Sequence, residues 1–155
     1  RDVERSRGLG DVYKRQEDIY MKTAVIYWSG TGNTEQMASA IAEGAGAELF
    51  TISEFSGDIA AYDRIAFGCP AMGDEVLEES DFEPFFSDVE GTLNGKTIAL
   101  FGSYGWGDGQ WMRDWEERVK ADGAVIVNGE GLIVNETPSD DDLELCKSLG
   151  AKLAE

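Results

Sequence analysis

Residues 29–34, Ser-Gly-Thr-Gly-Asn-Thr, place two glycines, three hydroxyls and an amide directly behind the apolar run TAVIYW at residues 23–28. Gly30 and Gly32 let the backbone turn its N–H groups inward, while Ser29, Thr31 and Thr34 add hydroxyls beneath the start of a helix, and Asn33 adds an amide. Such a nest holds an anion. It is not a Walker loop, because the Gly-Lys-Ser/Thr ending is missing and no lysine reaches for a terminal phosphate. Nor is it a dinucleotide fingerprint, since Glu35 stands where the third glycine of GxGxxG belongs. A terminal monophosphate held by neutral donors remains, beside the simpler reading of a glycine turn between strand and helix.

Two further segments carry unusual chemistry. PAMGDEVLEES (residues 70–80) sets Gly73, which can adopt conformations closed to other residues, between the apolar Met72 and the acids Asp74 and Glu75. Pro70 and Ala71 lead into it. GSYGWGDG (residues 102–109) frames Tyr104 and Trp106 with glycines: Gly102, Ser103, Gly105, Gly107 and Asp108 complete the candidate set. A large aromatic in a flexible glycine frame is costly to expose and should cover something flat. Taken singly, the second segment reads as an acidic surface loop and Trp106 as a side chain folded onto its own core. Phosphate donors, an apolar and acidic lip, and an aromatic lid together point to a flat, polar-edged mononucleotide, FMN.

The elements that must bring these segments together recur along the chain. Five apolar, β-branched runs (residues 23–28, 47–52, 64–69, 96–102 and 124–134) alternate with helical patterns at 34–46, 81–89, 110–123 and from Ser139 to the end. Ser139 can cap the last helix, and Asp140, Asp141 and Asp142 face its dipole favourably. Strands alternating with helices imply βαβ units and a parallel sheet covered on both faces. Ligands of such sheets bind outside the carboxyl ends of the strands, so the loops after strands one, three and four should form the site. Trp111 and Trp115, four apart on one helix, read as packing residues, and Cys69 as a buried thiol.

Composition narrows the function. The chain of 155 residues suits one domain, and its formal charge of −18 argues against nucleic acid or an anionic membrane and favours basic protein partners. Residues 1–20 hold five of the thirteen Lys and Arg and five of the thirty-one acids, so the entire net charge lies in residues 21–155. That first stretch has no amphipathic face and resembles translated adapter sequence; it is expected to be a disordered, non-native extension preceding a single domain at 21–155. Histidine is absent, which removes the commonest general base and leaves few ways to build a transition-metal site. Any chemistry therefore belongs to a bound cofactor. Two cysteines without CxxC spacing, no apolar run of membrane length and no signal peptide fit a cytoplasmic protein.

YWSGTGNTE, AMGDEVLEESDFEPF and ALFGSYGWGDGQWMRDWEER, within a likeness running from Met21 to the C-terminus, resemble the short-chain flavodoxins, those of clostridial type above all. The resemblance implies a flavodoxin-like α/β fold: a doubly wound, five-stranded parallel sheet of order 2-1-3-4-5. It also implies noncovalent FMN and a monomeric, low-potential one-electron carrier rather than an enzyme. Ser29, Thr31, Gly32, Asn33 and Thr34 would surround the phosphate, with Gly30 supporting the turn. Met72 and Trp106 would flank the isoalloxazine, Gly73 would turn its carbonyl toward N5–H on reduction, and Glu75 would accept from N3–H. Backbone groups around Gly105 and Gly107 would meet the pyrimidine edge. Pro70 stands where many relatives carry a serine or threonine for the phosphate. Asp74, Glu75 and Asp108 would disfavour an anionic reduced ring by repulsion. The alternative on the same fold is a small NAD(P)H:quinone reductase, but Trp106 occupies the outer face that nicotinamide needs, and the three loops contain no basic residue for a second phosphate.

Overall fold

Apolar side chains that alternate along the central strands sort the helices onto two faces of one sheet. The computed structural model describes residues 22–155, so the extension expected at residues 1–20 lies outside the described residues. The strands are β1 (Thr23–Tyr27), β2 (Glu48–Thr51), β3 (Arg64–Gly68), β4 (Thr97–Tyr104), β5 (Val125–Ile126) and β6 (Leu132–Asn135). The helices are α1 (Asn33–Ala45), α2 (Phe82–Val89), α3 (Gln110–Ala121) and α4 (Asp140–Leu153). All strand pairs are parallel and the order is β2-β1-β3-β4-β5, the order implied by the resemblance. Ile26, Ile65 and Phe67 pack with Phe82, Phe86, Trp111 and Trp115 of α2 and α3. Val25, Tyr27, Ala66 and Phe101 point the other way and pack with Met37 and Ile41 of α1 and Leu149 of α4. Both faces are thereby covered.

The fifth apolar run departs from a single strand. Val125 and Ile126 pair with Thr97 and Ile98, the chain then leaves the sheet through a 3-10 turn at Val127–Gly129, and Leu132–Asn135 returns to pair with Phe101–Tyr104. Asn128, at φ 64°, makes the detour possible, since asparagine tolerates the left-handed region. The returning segment has a consequence for the site. Because β6 gives residues 101–104 a hydrogen-bonding neighbour, β4 extends to Tyr104, and the third loop begins at Gly105 instead of Gly102.

Close packing fixes both helical layers. A Cβ on Gly44 would collide with the Lys147 backbone, and one on Gly150 with the Ile41 carbonyl, so these glycines set the approach of α1 to α4. On the opposite face Phe82 and Phe86 stack at 5.8 Å, and Trp115 meets both edge-on at 5.5 and 5.6 Å. These geometries are the favoured aromatic arrangements. Trp111 and Trp115 are both 1 % exposed, in agreement with their reading as packing residues. Arg118 covers the layer: its guanidinium lies 5.0 Å from the Phe86 ring centroid and binds Glu83 and Glu90 with two hydrogen bonds each. Ser139 caps α4 through a reciprocal bond with Asp142, and the first-turn aspartates lie as the dipole favours. No helix among the described residues is long and apolar enough to cross a membrane.

One group at the end of α3 works against this stability. Burial, then a hydrogen bond with Glu90 and its negative charge, raise the Asp122 carboxyl from an ordinary 3.8 to about 6, and its Oδ2 is buried without a donor. Two carboxylates can share such a bond only when one holds a proton. The folded state therefore binds the proton more tightly than the unfolded chain, and stability falls as pH rises from 3.8 through about 6. Asp122→Asn, whose amide donates without a proton, is expected to melt higher than the parent at neutral pH, with the gain shrinking as the pH drops through that window. Thermal melts at a series of pH values test this; an unchanged or lower melting temperature at pH 7 would refute it.

Candidate functional site

β1 and β3 are adjacent, yet α1 and α2, which follow them, pack on opposite faces. The crevice at their carboxyl ends is the switch point at which doubly wound sheets bind ligands. Loop one closes it from one side. The Ser29 Oγ accepts from the N–H groups of Gly32 (3.1 Å) and Glu35 (3.3 Å), so this hydroxyl shapes the turn from beneath while retaining its own O–H to donate. Gly32 takes φ 97° immediately before α1, whose first amides have no intrahelical acceptor; that of Asn33 donates to the Thr31 hydroxyl at 3.5 Å. Thr34 is 1 % exposed and its hydroxyl lies 3.0 Å from that of Ser103, itself 4 % exposed. The same oxygen accepts from the Ser103 N–H at 3.3 Å, tying loop one to β4. Sequence spacing does not signal this link.

Loop two is a short hairpin. Met72 and Val76 exchange backbone hydrogen bonds at 2.8 and 3.0 Å, leaving Gly73, Asp74 and Glu75 at the tip. Gly73 has φ 48° and Glu75 φ 60°, a conformation uncommon in residues with a side chain. A partner holds Glu75 there: its Oε1 accepts from the Gln110 N–H at 2.9 Å, the first amide of α3, and its carboxylate rests against Gly107. The tip of loop two thus caps α3 and braces loop three. Loop three presents Trp106, 63 % exposed, while Met72 is 37 % exposed.

The structure brings nine of the nineteen candidate residues around one cavity of about 210 Å³, lined by Gly30, Thr31 and Asn33, by Pro70, Ala71 and Met72, and by Ser103, Tyr104 and Gly105. Glu136 completes the lining. It follows β6, takes φ 60°, and donates its N–H to the Tyr104 carbonyl at 2.7 Å. Ser29, Gly32, Thr34 and Gly102 adjoin lining residues along the chain without lining the cavity; Gly73, Asp74, Glu75, Trp106, Gly107 and Asp108 lie on the loops beyond its lining. No lysine or arginine lines it. Larger clefts exist among the described residues. One of about 510 Å³ lies on the far side of Ser29 against Trp28, Thr51 and Phe85, and one of about 600 Å³ runs between α1 and α4. Neither joins the three loops, so convergence of donors outweighs volume as a guide.

Two groups escape sequence reasoning and alter the electrostatics. Glu78 is 7 % exposed, and its carboxylate accepts from the N–H groups of Ser80 (2.9 Å), Asp81 (2.8 Å) and Phe82 (2.7 Å), capping α2. Burial by itself would raise its pKa, but the three amides together outweigh burial and hold the carboxyl below its ordinary 4.5. The second is Arg113 on α3, which ion-pairs with Asp108 at 2.9 Å. The segments contain no basic residue in sequence, yet folding brings a cation onto loop three and reduces the repulsion expected of Asp108. Cys69 is fully buried; burial is the main cause that raises its thiol pKa, and its sulfur accepts from the Glu78 N–H at 3.3 Å. It is an inert packing thiol.

The three loops lie at the carboxyl ends of a doubly wound sheet, beside the switch point at which proteins of this class bind their ligands. The flavodoxin family profile matches residues 25–150. The chain is 48 % identical to the flavodoxin of Clostridium beijerinckii over 84 % of its length and 97 % of that protein. It is 47 % identical to that of Megasphaera elsdenii over 84 % of this chain and 96 % of that one. The solution structure of two-electron-reduced M. elsdenii flavodoxin superposes with a TM-score of 0.73 at 45 % identity, covering 85 % of this chain and 98 % of that one. A flavodoxin from the domain Archaea gives 0.76 at 28 % identity, covering 86 % and 96 %. The chain belongs to the flavodoxin family, and its function is that of the family, an FMN-binding carrier of electrons.

Removing the Glu78 carboxylate leaves the amides of Ser80, Asp81 and Phe82, which lead into α2, without their acceptor, so Glu78→Ala is expected to cost about 1–3 kcal/mol. Because the folded-state pKa is depressed, the carboxylate's contribution is full above 4.5 and is lost as pH falls through the lower folded value. Urea unfolding of parent and variant at pH 7 and in acid should show the difference narrowing in acid; equal stabilities at pH 7 would remove the capping role.

Proposed function

We propose that residues 29–34, 70–75 and 102–108 hold FMN noncovalently, and that the protein passes single electrons at low potential between basic redox proteins as a monomer. The observation that carries the site is the convergence of the three loops on one crevice whose donors are backbone amides and hydroxyls. FMN supplies one-electron chemistry when bound; the chain supplies position and field. The first amides of α1, with Thr31 and Asn33, suit a phosphate dianion without adding a fixed cation. Pro70 adds no hydroxyl there and stiffens the start of loop two.

Met72 and Trp106 supply opposite walls for a flat ring. Their exposure, unusual for large apolar side chains, fits surfaces that a ligand covers. Gly73 stands at the tip with φ 48°, a region that residues with a side chain rarely adopt, so glycine there keeps a turn of the following peptide inexpensive. Glu75 already binds the Gln110 N–H through Oε1, and its second oxygen can accept from a ring N–H. Asp74 and Glu75 disfavour added negative charge on the ring, in a chain of net charge −18. The acid-rich rim at residues 74–83 suits basic partners by long-range attraction.

Controlled-potential reduction of the FMN-loaded protein is expected to resolve two one-electron steps, the second well below the first. Gly73→Ala should bring the steps closer together; a single two-electron step in the parent would overturn the reading. Trp106→Ala should weaken FMN binding roughly five- to tenfold, from stacking on the order of 1 kcal/mol, and an unchanged dissociation constant would remove Trp106 from the site.

A further inference from the structure

The exposed face of α3 carries a side chain that reaches back onto loop three. The Arg113 Nη2 donates to the Asp108 Oδ1 at 2.9 Å and its Nη1 to the Asp108 carbonyl at 3.1 Å, while Nε and Nη2 both bind the Gln110 Oε1. The guanidinium therefore holds side chain and main chain of the same loop residue in one planar fork. From the other side the Glu75 carboxylate binds the Gln110 N–H and rests on Gly107. Residues 107–110 are gripped twice, and Trp106 projects from the edge of that grip. The pair is open to water, with side chains 50 % and 79 % exposed. Exposed ion pairs contribute little to global stability, so the effect of this one is local.

We propose that Arg113 is a positioning residue for the flavin site. It acts through Asp108 to fix the third loop, so that Trp106 stands in one place over the ring, and it neutralises Asp108, so that this carboxylate repels added electron density less than Asp74 and Glu75 do. The proposal rests on the reading of the three loops as the FMN site. A structural tether and a local charge make different predictions for the two partners. If charge matters, removing the cation makes the ring harder to reduce and removing the anion makes it easier. If the tether alone mattered, both changes would loosen the loop and move the potential in the same direction.

The test uses the full chain as Arg113→Met, Asp108→Asn and the double variant. Amide hydrogen exchange at residues 105–109 of the FMN-free protein reads the tether, FMN dissociation reads the lid, and the second one-electron midpoint reads the charge. Either single variant is expected to speed exchange and to raise the FMN dissociation constant about threefold, in line with an exposed pair. Arg113→Met should lower the second midpoint, Asp108→Asn should raise it, and the double variant should return it toward the parent. Arg113→Met with parental exchange, affinity and midpoint would overturn the proposal, and midpoints moving the same way in both single variants would overturn its charge component. Failure of the underlying site reading has a different signature: Trp106→Ala would leave FMN affinity unchanged whatever Arg113 does.

Discussion

The arrangement of the site depends on one topological constraint: β1 and β3 lie side by side while the segments that follow them leave to opposite faces. The two strands pair in register from Thr23 with Arg64 to Tyr27 with Gly68, and the Trp28 N–H continues the ladder to the Gly68 carbonyl at 3.0 Å. Beyond that point the chains separate, with α1 and α2 leaving to opposite faces of the sheet. The Thr34 and Ser103 hydroxyls meet 3.0 Å apart across a sequence separation of 69. This buried contact fixes loop one relative to β4, the strand that leads into the third loop. A buried hydroxyl pair of this kind is directional where apolar packing is not, so it specifies register as well as contact.

Charge is managed at two ranges. At long range residues 21–155 are strongly acidic, and their field acts on any approaching protein. At short range the acids are treated individually. Glu78 is buried on three amides, Glu83 and Glu90 share Arg118, and Asp108 is paired with Arg113. Asp74 remains exposed at the tip of loop two, and Glu75 is partly committed to the first amide of α3. The carboxylates are therefore unequal in the charge they present to the crevice. Net charge alone would have treated them alike.

The legibility of the structure follows the range of the interactions involved. Strand and helix positions depend on local periodicity, so TAVIY, RIAFG and the Trp111/Trp115 face are found where the pattern places them. The fifth run misleads because two apolar stretches, residues 124–127 and 132–134, read as one strand although Asn128 and Gly129 between them turn the backbone off the sheet, and the extension of β4 is visible only once β6 pairs with it. The three loops were legible as chemistry from their glycines, hydroxyls and aromatics, whereas the roles assigned to single residues came from resemblance. The Glu78 cap had a weak local signal, an acid shortly before an apolar helix. Arg113 on Asp108 lies only five residues along the chain, but the contact requires the turn at Gly109, φ 94°, to fold the loop back onto α3. Glu136 and the Glu75–Gln110 bond had no sequence signal, because each joins elements brought together by the sheet.

The central claim is that FMN enters the crevice between β1 and β3 and not one of the two larger clefts. Amide chemical-shift mapping during titration of the FMN-free protein with FMN tests it most directly. The account predicts the large perturbations at residues 29–35, 70–76 and 102–109, with the signal of Glu136 moving as well. Perturbations concentrated at Thr51–Ser53 and Phe85, or along the facing surfaces of α1 and α4, with the three loops unmoved, would contradict it.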